Sequence, residues 1–234
     1  MQGILFDLDG TLLDIDLGSF LERYFTALAR AMAPLTDGKE SLREAMKALN
    51  VATHAMMLPH PGRTNQDVFT EEFRILTGID IAVNADVFAR FYAEEFPLLG
   101  DGYGPAPGAR EAVEMALSLG LKVAIATNPI FPRAAVEHRI AWADLSDLPV
   151  HAVTTYETMH ACKPLPSYFV ETAQQMGAAP ERCLMVGDDR ELDLPAAATG
   201  MKTYYVGPEP EVDADYTGDL YGLVEALPRF VHAW

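Results

Sequence analysis

Three clusters of polar residues in this 234-residue chain stand directly after short apolar runs and a fourth lies in the loop that follows another, and together they carry the side chains of phosphoryl chemistry. They are Asp7-Leu8-Asp9-Gly10-Thr11, then Thr127-Asn128-Pro129, then Lys163-Pro164, then Gly187-Asp188-Asp189 with Asp193 a few residues on. Each alone has a plain structural explanation. Asp9-Gly10 is a turn signal, Lys163 reads as a solvated side chain, Asn128-Pro129 as a turn and Asp188-Asp189 as a helix cap. As a set they can do more. The Asp7 carboxylate is ionised at neutral pH and can attack phosphorus or carbon to form a covalent aspartyl intermediate. It needs charge relief to approach an anion. A hard cation held by Asp7, Asp188 and a backbone carbonyl would supply that relief, and all-oxygen ligation favours Mg²⁺ over zinc. Lys163 adds a fixed positive charge, and Thr127 and the Asn128 backbone can donate to phosphoryl oxygens.

These clusters must be positioned by the apolar runs that precede them. The runs at 4–6, 121–126, 150–154, 183–186 and 203–206 are rich in Val, Ile and Leu and apolar on both faces, the pattern of buried parallel strands. Helix-length stretches between the last four give βαβ units, hence an α/β fold with a doubly wound, Rossmann-like parallel sheet. Such sheets bind ligands at the carboxyl ends of their strands, where all four clusters fall.

The stretch between the first two strands is too long for one crossover and is helical throughout. Leu17, Leu21, Tyr24, Phe25, Leu28 and Met32 recur at spacings of three and four. A second helix is expected to open on a capping box of Asp37 and Glu40, and a third on Thr64 with Asp67, closing at Gly78. A fourth runs from Asn84 until Pro97 stops it. Residues 15–97 therefore read as a helical domain inserted into an α/β core of residues 1–14 and 98–234. The Gly- and Pro-rich segment 99–108 is one linker and residues 14–18 the other. A last helix with Leu220, Leu223, Val224 and Leu227 is expected to pack on the core.

The order of the four clusters resembles the haloacid dehalogenase superfamily of aspartyl-nucleophile hydrolases, over residues 1–13 and about 103–207. The inserted helices resemble its helical cap. The resemblance implies that Asp7 is the nucleophile, Asp9 the acid and then the base, Thr127 a phosphoryl-binding residue and Lys163 the cation that steadies nucleophile and phosphate. It places Mg²⁺ on Asp7, the Asp9 carbonyl and Asp188, with Asp189 and Asp193 as further candidate ligands. Leu192 stands where many relatives carry a polar residue. Asp9 points to phosphate esters, because breaking a carbon–halogen or carbon–phosphorus bond requires no protonation of a leaving alkoxide. Gly10, Thr11 and Asn128 are candidate substrate contacts in the core. Arg63 and Thr64, in the polar loop 54–66, are candidates in the insert.

Seventeen Lys and Arg against 34 Asp and Glu give a formal net charge of -17. That surface disfavours nucleic acid and anionic membrane as partners and leaves a small phosphorylated metabolite as the expected one. Two cysteines build no disulfide framework. With no apolar window of membrane-spanning length and no basic start, the expectation is a soluble cytoplasmic phosphatase. A phosphomutase shares the same aspartyl phosphate, and a binding module without turnover is the alternative from another class.

Overall fold

The computed structural model describes residues 1–209 and 211–233. Its centre is a six-stranded sheet of β1 (Gly3–Phe6), β4 (Lys122–Ile125), β5 (Ala152–Val153), β6 (Cys183–Gly187), β7 (Lys202–Tyr205) and β8 (Tyr216–Thr217). The spatial order is β5-β4-β1-β6-β7-β8 and every pairing is parallel. All four residues of β1 are buried, as an apolar run with a helical layer on either side requires. The edge strand β8 lies outside the expected set, and only two residues of the expected 150–154 run pair as β5. The connection from β6 to β7 is a 3₁₀ segment, Leu194–Thr199, with Pro195 in its first turn, rather than an α-helix.

Around the sheet lie α5 (Ala109–Ser118), α6 (Arg133–Trp142), α7 (Pro166–Met176) and α8 (Leu220–Ala233). Leu220, Leu223 and Leu227 of α8 are buried in the same cluster as Ala112 and Val113 of α5, so the last helix packs where its apolar spacing places it.

Between β1 and β4 the chain forms α1 (Leu17–Met32), α2 (Lys39–Met57), α3 (Asn65–Thr77) and α4 (Ala85–Arg90). Asp16 caps α1, its carboxylate accepting from the Ser19 amide at 2.7 Å. The Thr64–Asp67 capping box opens α3, and Gly78, at φ 73°, closes it. The box expected at Asp37 does not form. Gly38, at φ 90°, is the N-cap of α2 without a side-chain bond, and Glu40 turns instead to Arg43 at 2.8 Å. Pro97 does not end the fourth helix either, because the chain continues through a π-helical turn (Phe91–Glu95) into a 3₁₀ turn (Phe96–Gly100). Proline in the first 3₁₀ turn lacks only a donor that has no partner there.

The two connections to this helical segment pair with each other. β2 (Leu13–Asp14) and β3 (Gly104–Pro105) form an antiparallel pair, Leu13 opposite Pro105 and Asp14 opposite Gly104. Its helices face the sheet unit through a buried aromatic group in which Phe20 meets Phe96, Phe131 and Trp142 at centroid separations of 6.0–6.2 Å.

Candidate active site

The strand order decides which loops meet. With β1 between β4 and β6, the residues following these three strands are neighbours. The Asp7 amide donates to the Val186 carbonyl at 2.9 Å and the Ala126 amide to the Phe6 carbonyl at 2.6 Å, so the first acid starts from a backbone gripped on both sides. The loop then folds tightly back, the amides of Leu12 and Leu13 both donating to the Leu8 carbonyl at 2.9 and 2.8 Å. Gly10 takes φ +89° within this turn, and a Cβ there would collide with the Asp188 carboxylate. Position 10 thus requires glycine both for its left-handed backbone and for the close approach of the later acid.

Lys163 Nζ lies 2.6 Å from Asp7 Oδ1 and 2.6 Å from Asp193 Oδ1, and its side chain is 1 % exposed. Burial disfavours its charge, but Asp193 and then Asp7 outweigh that penalty and hold the ammonium well above the usual lysine range. Asp193 accepts a second bond at Oδ2 from the Asp189 amide at 3.1 Å, and burial raises its carboxyl despite the lysine. Asp188 accepts from the Thr11 hydroxyl at 2.9 Å, and its carboxyl is pushed up to about 6 by burial and then by the charge of Asp7.

Asp7, Asp188 and Asp193 each present an oxygen within 4.8 Å of the other two. Three carboxylates against one ammonium leave an excess of negative charge in a confined space, and all the donors are oxygens. That set fits a hard divalent cation such as Mg²⁺. Asp189 is not part of this group, because its Oδ1 accepts from the amides of Glu191 and Leu192 at 2.7 and 3.0 Å and so shapes the loop.

Asp9 has a partner that sequence reasoning missed. Arg139 of α6, 1 % exposed, forms a buried ion pair with Asp9 Oδ2 and stacks over Phe131 with its guanidinium carbon 4.5 Å from the ring centroid. Asp9 Oδ1 and Arg139 Nη2 are buried without a hydrogen-bond partner. Burial raises the Asp9 carboxyl while Arg139 opposes that rise. A signal was present: Arg139 shares its helix face with Ala135, Val136 and Ile140, and a cation on an apolar face needs a buried counter-charge.

A cavity of about 300 Å³ opens over these groups, lined by Asp7, Asp9, Gly10, Thr127, Asn128, Arg139, Lys163, Asp188, Asp189 and Asp193. The structure thus brings Asp7, Asp9, Thr127, Lys163, Asp188 and Asp193 together. Asn128 also ties two loops, its Oδ1 accepting from the Lys163 amide at 3.2 Å. Thr11 supports Asp188 and does not line the cavity.

Arg63 and Thr64 are not brought to it. Arg63 pairs with Glu71 at 2.5 Å and donates to the Asp67 carbonyl at 2.9 Å, while the Thr64 hydroxyl caps α3 at 3.1 Å. Their neighbour Asn65 holds the interface instead. Buried, it donates through Nδ2 to the Pro129 carbonyl at 2.9 Å, and its backbone amide reaches the Met159 carbonyl at 2.8 Å. Cys162, in contact with Asn65, is buried and its thiol is pushed up to about 12, which makes it a packing residue.

Residues 1–200 match the family model of haloacid dehalogenase-like hydrolases. Among curated proteins, the chain is 25% identical over 220 residues to a bifunctional riboflavin kinase/FMN phosphatase of Arabidopsis thaliana, covering 92% of this chain and 50% of that protein. It is 28% identical over 188 residues to hexitol phosphatase A of Escherichia coli K12, covering 80% of this chain and 74% of that one. The chain therefore spans about half the length of the plant relative and about three quarters of the bacterial one. Among solved structures, a HAD phosphatase from Thermococcus onnurineus superposes with a TM-score of 0.61 at 22% identity, covering 97% of this chain and 98% of that one. No helix among the described residues is long and apolar enough to cross a membrane.

Proposed function

The chain belongs to the haloacid dehalogenase-like hydrolases, and from that membership we propose that it is a Mg²⁺-dependent phosphatase that hydrolyses phosphate monoesters of small metabolites through a phosphoryl group carried on Asp7. The observation that carries this reading is the single ammonium of Lys163 bridging Asp7 and Asp193, with Asp188 completing the acidic group beside it.

Asp7 attacks phosphorus with one carboxylate oxygen, and the bond from phosphorus to the ester oxygen breaks. The departing oxygen takes a proton from Asp9, giving the free alcohol. Asp9, now ionised, accepts a proton from the water that attacks the aspartyl phosphate, releasing inorganic phosphate and restoring Asp7. Asp9 lines the cavity, and its Oδ1 has no hydrogen-bond partner while Oδ2 is held by Arg139, so Oδ1 would carry both transfers. Burial favours the protonated form and Arg139 the ionised one, a balance suited to a group that gives and regains a proton in each cycle.

Lys163 fixes Asp7 and offers positive charge to the phosphoryl oxygens, with Thr127 and Asn128 lining the same cavity. Asp7, Asp188 and the Asp9 carbonyl would hold the Mg²⁺ ion, with Asp193 in the same acidic group. When bound, the ion offsets repulsion between the acids and the phosphate. Residues 15–97 act as a cap over the core formed by 1–14 and 98–234.

Release of inorganic phosphate from an aryl phosphate in the presence of Mg²⁺ tests the proposal. Turnover is expected to vanish with EDTA and with Asp7→Asn. Undiminished turnover by a folded Asp7→Asn protein overturns it.

A further inference from the structure

A second cavity, of about 240 Å³, adjoins the acidic one and is used by none of the chemistry above. Leu21, Ile130 and Phe131 line both cavities, so the two meet at a shared wall. Leu28, Leu49, Phe69 and Phe88 supply much of the remaining surface. No Asp, Glu, Lys, Arg or His is among its described lining residues. Its few polar groups are largely committed or peripheral. The hydroxyls of Tyr24 and Tyr92 bond each other at 3.0 Å, Asn50 is exposed and Thr53 half-buried.

We propose that this cavity receives the organic group of the substrate, which is the phosphate monoester of a hydrophobic alcohol or phenol bearing no second charge. This rests on the phosphatase reading, because the ester oxygen must sit between Asp7 and the shared wall. Apolar surface entering such a cavity is stabilised by leaving water, whereas polyol hydroxyls would lose water without finding partners. A carboxylate or second phosphate there would be buried without a cation. The volume is sufficient for one substituted ring, since an apolar cavity of ~150 Å³ takes up benzene.

The test compares kcat/KM for benzyl phosphate with that for glycerol 1-phosphate and a hexose 6-phosphate, all of which release a primary alcohol, so that binding and not leaving-group chemistry decides the ratio. Benzyl phosphate is expected to be favoured by about tenfold or more, and Thr53→Trp, which adds bulk at a lining position of the cavity, to bring the ratio towards one. Equal or better turnover of the polyol esters overturns the proposal while leaving the phosphatase reading standing. If no ester is hydrolysed, the phosphatase reading fails, and ligand-observed NMR with benzyl alcohol decides the cavity. Saturable binding that Thr53→Trp removes supports it as the apolar site, and no binding overturns it.

Discussion

The Lys163 ammonium and the Asp7 carboxylate lie 2.6 Å apart although they are 156 positions apart in the chain. The proposed nucleophile is thereby held in place by a cation that α7 and the loop before it bring in from another part of the fold. Both groups are almost wholly removed from water, so their pairing matters to stability as well as to chemistry.

Lys163→Met should therefore be costly twice. It leaves Asp7, Asp188 and Asp193 crowded together with no local cation, and breaking a buried pair by removing one partner destabilises by about 3–5 kcal/mol. Urea denaturation should show a loss of this order. Adding Mg²⁺ should recover part of the stability, because the acids then regain a counter-charge, but little of the turnover.

Asp9→Asn should show a leaving-group dependence. For an alkyl phosphate, whose alkoxide needs a proton, kcat should fall by roughly 10²–10⁴. For 4-nitrophenyl phosphate, whose leaving group departs as a stable anion, the fall in formation of the aspartyl phosphate should be much smaller. Single-turnover kinetics with the two esters checks this.

Arg139 and Asp9 should be coupled. Arg139→Met alone strands a buried carboxylate and should cost about 3 kcal/mol or more, whereas Arg139→Met with Asp9→Asn should cost well under the sum of the two single changes. A double-mutant cycle in urea measures the difference. Additive losses would show that the ion pair carries no interaction energy.

Metal dependence should carry a pH signature. The Asp188 carboxyl is raised to about 6, so in the absence of a divalent ion the folded protein retains a proton that the unfolded chain releases at lower pH. Over this range the folded state binds more protons, so this group makes stability fall as pH rises from near 4 to above 6. A divalent ion needs the deprotonated carboxylate, so the rise in Tm produced by a fixed Mg²⁺ concentration should be small at pH 5 and larger at pH 7.5. Thermal melts at the two pH values, with and without EDTA, measure it.

Much of the molecule was legible because its signals are local. The apolar runs before Asp7, Thr127 and Asp188 could be read as buried strands, and the strand ends then placed those residues together with Lys163. What escaped the reading depends on partners distant in sequence. The pairing of Leu13–Asp14 with Gly104–Pro105 involves two-residue strands, too short to have a period. The failure of the Asp37 box reflects Gly38 taking the cap position itself, a choice between adjacent residues that a spacing rule does not make. Arg139 was hidden because an arginine in a helix usually faces solvent, and only the folded sheet puts Asp9 beneath it. Arg63 looked available for an anion because its partner Glu71, two turns along α3, is as ordinary a surface acid as any other.

β1 is flanked in the finished sheet by β4 and β6, both of which follow it in the sequence. During synthesis β1 therefore has no sheet neighbour until Lys122 and the residues after it are made, and none on its other side until Cys183. Contacts so distant in sequence close late. Asp7 and Asp9 thus precede both neighbours of their strand, and any chain cut before Asp193 lacks one of the three clustered carboxylates. Assembly of the acidic group in this way reports that synthesis has passed Asp193.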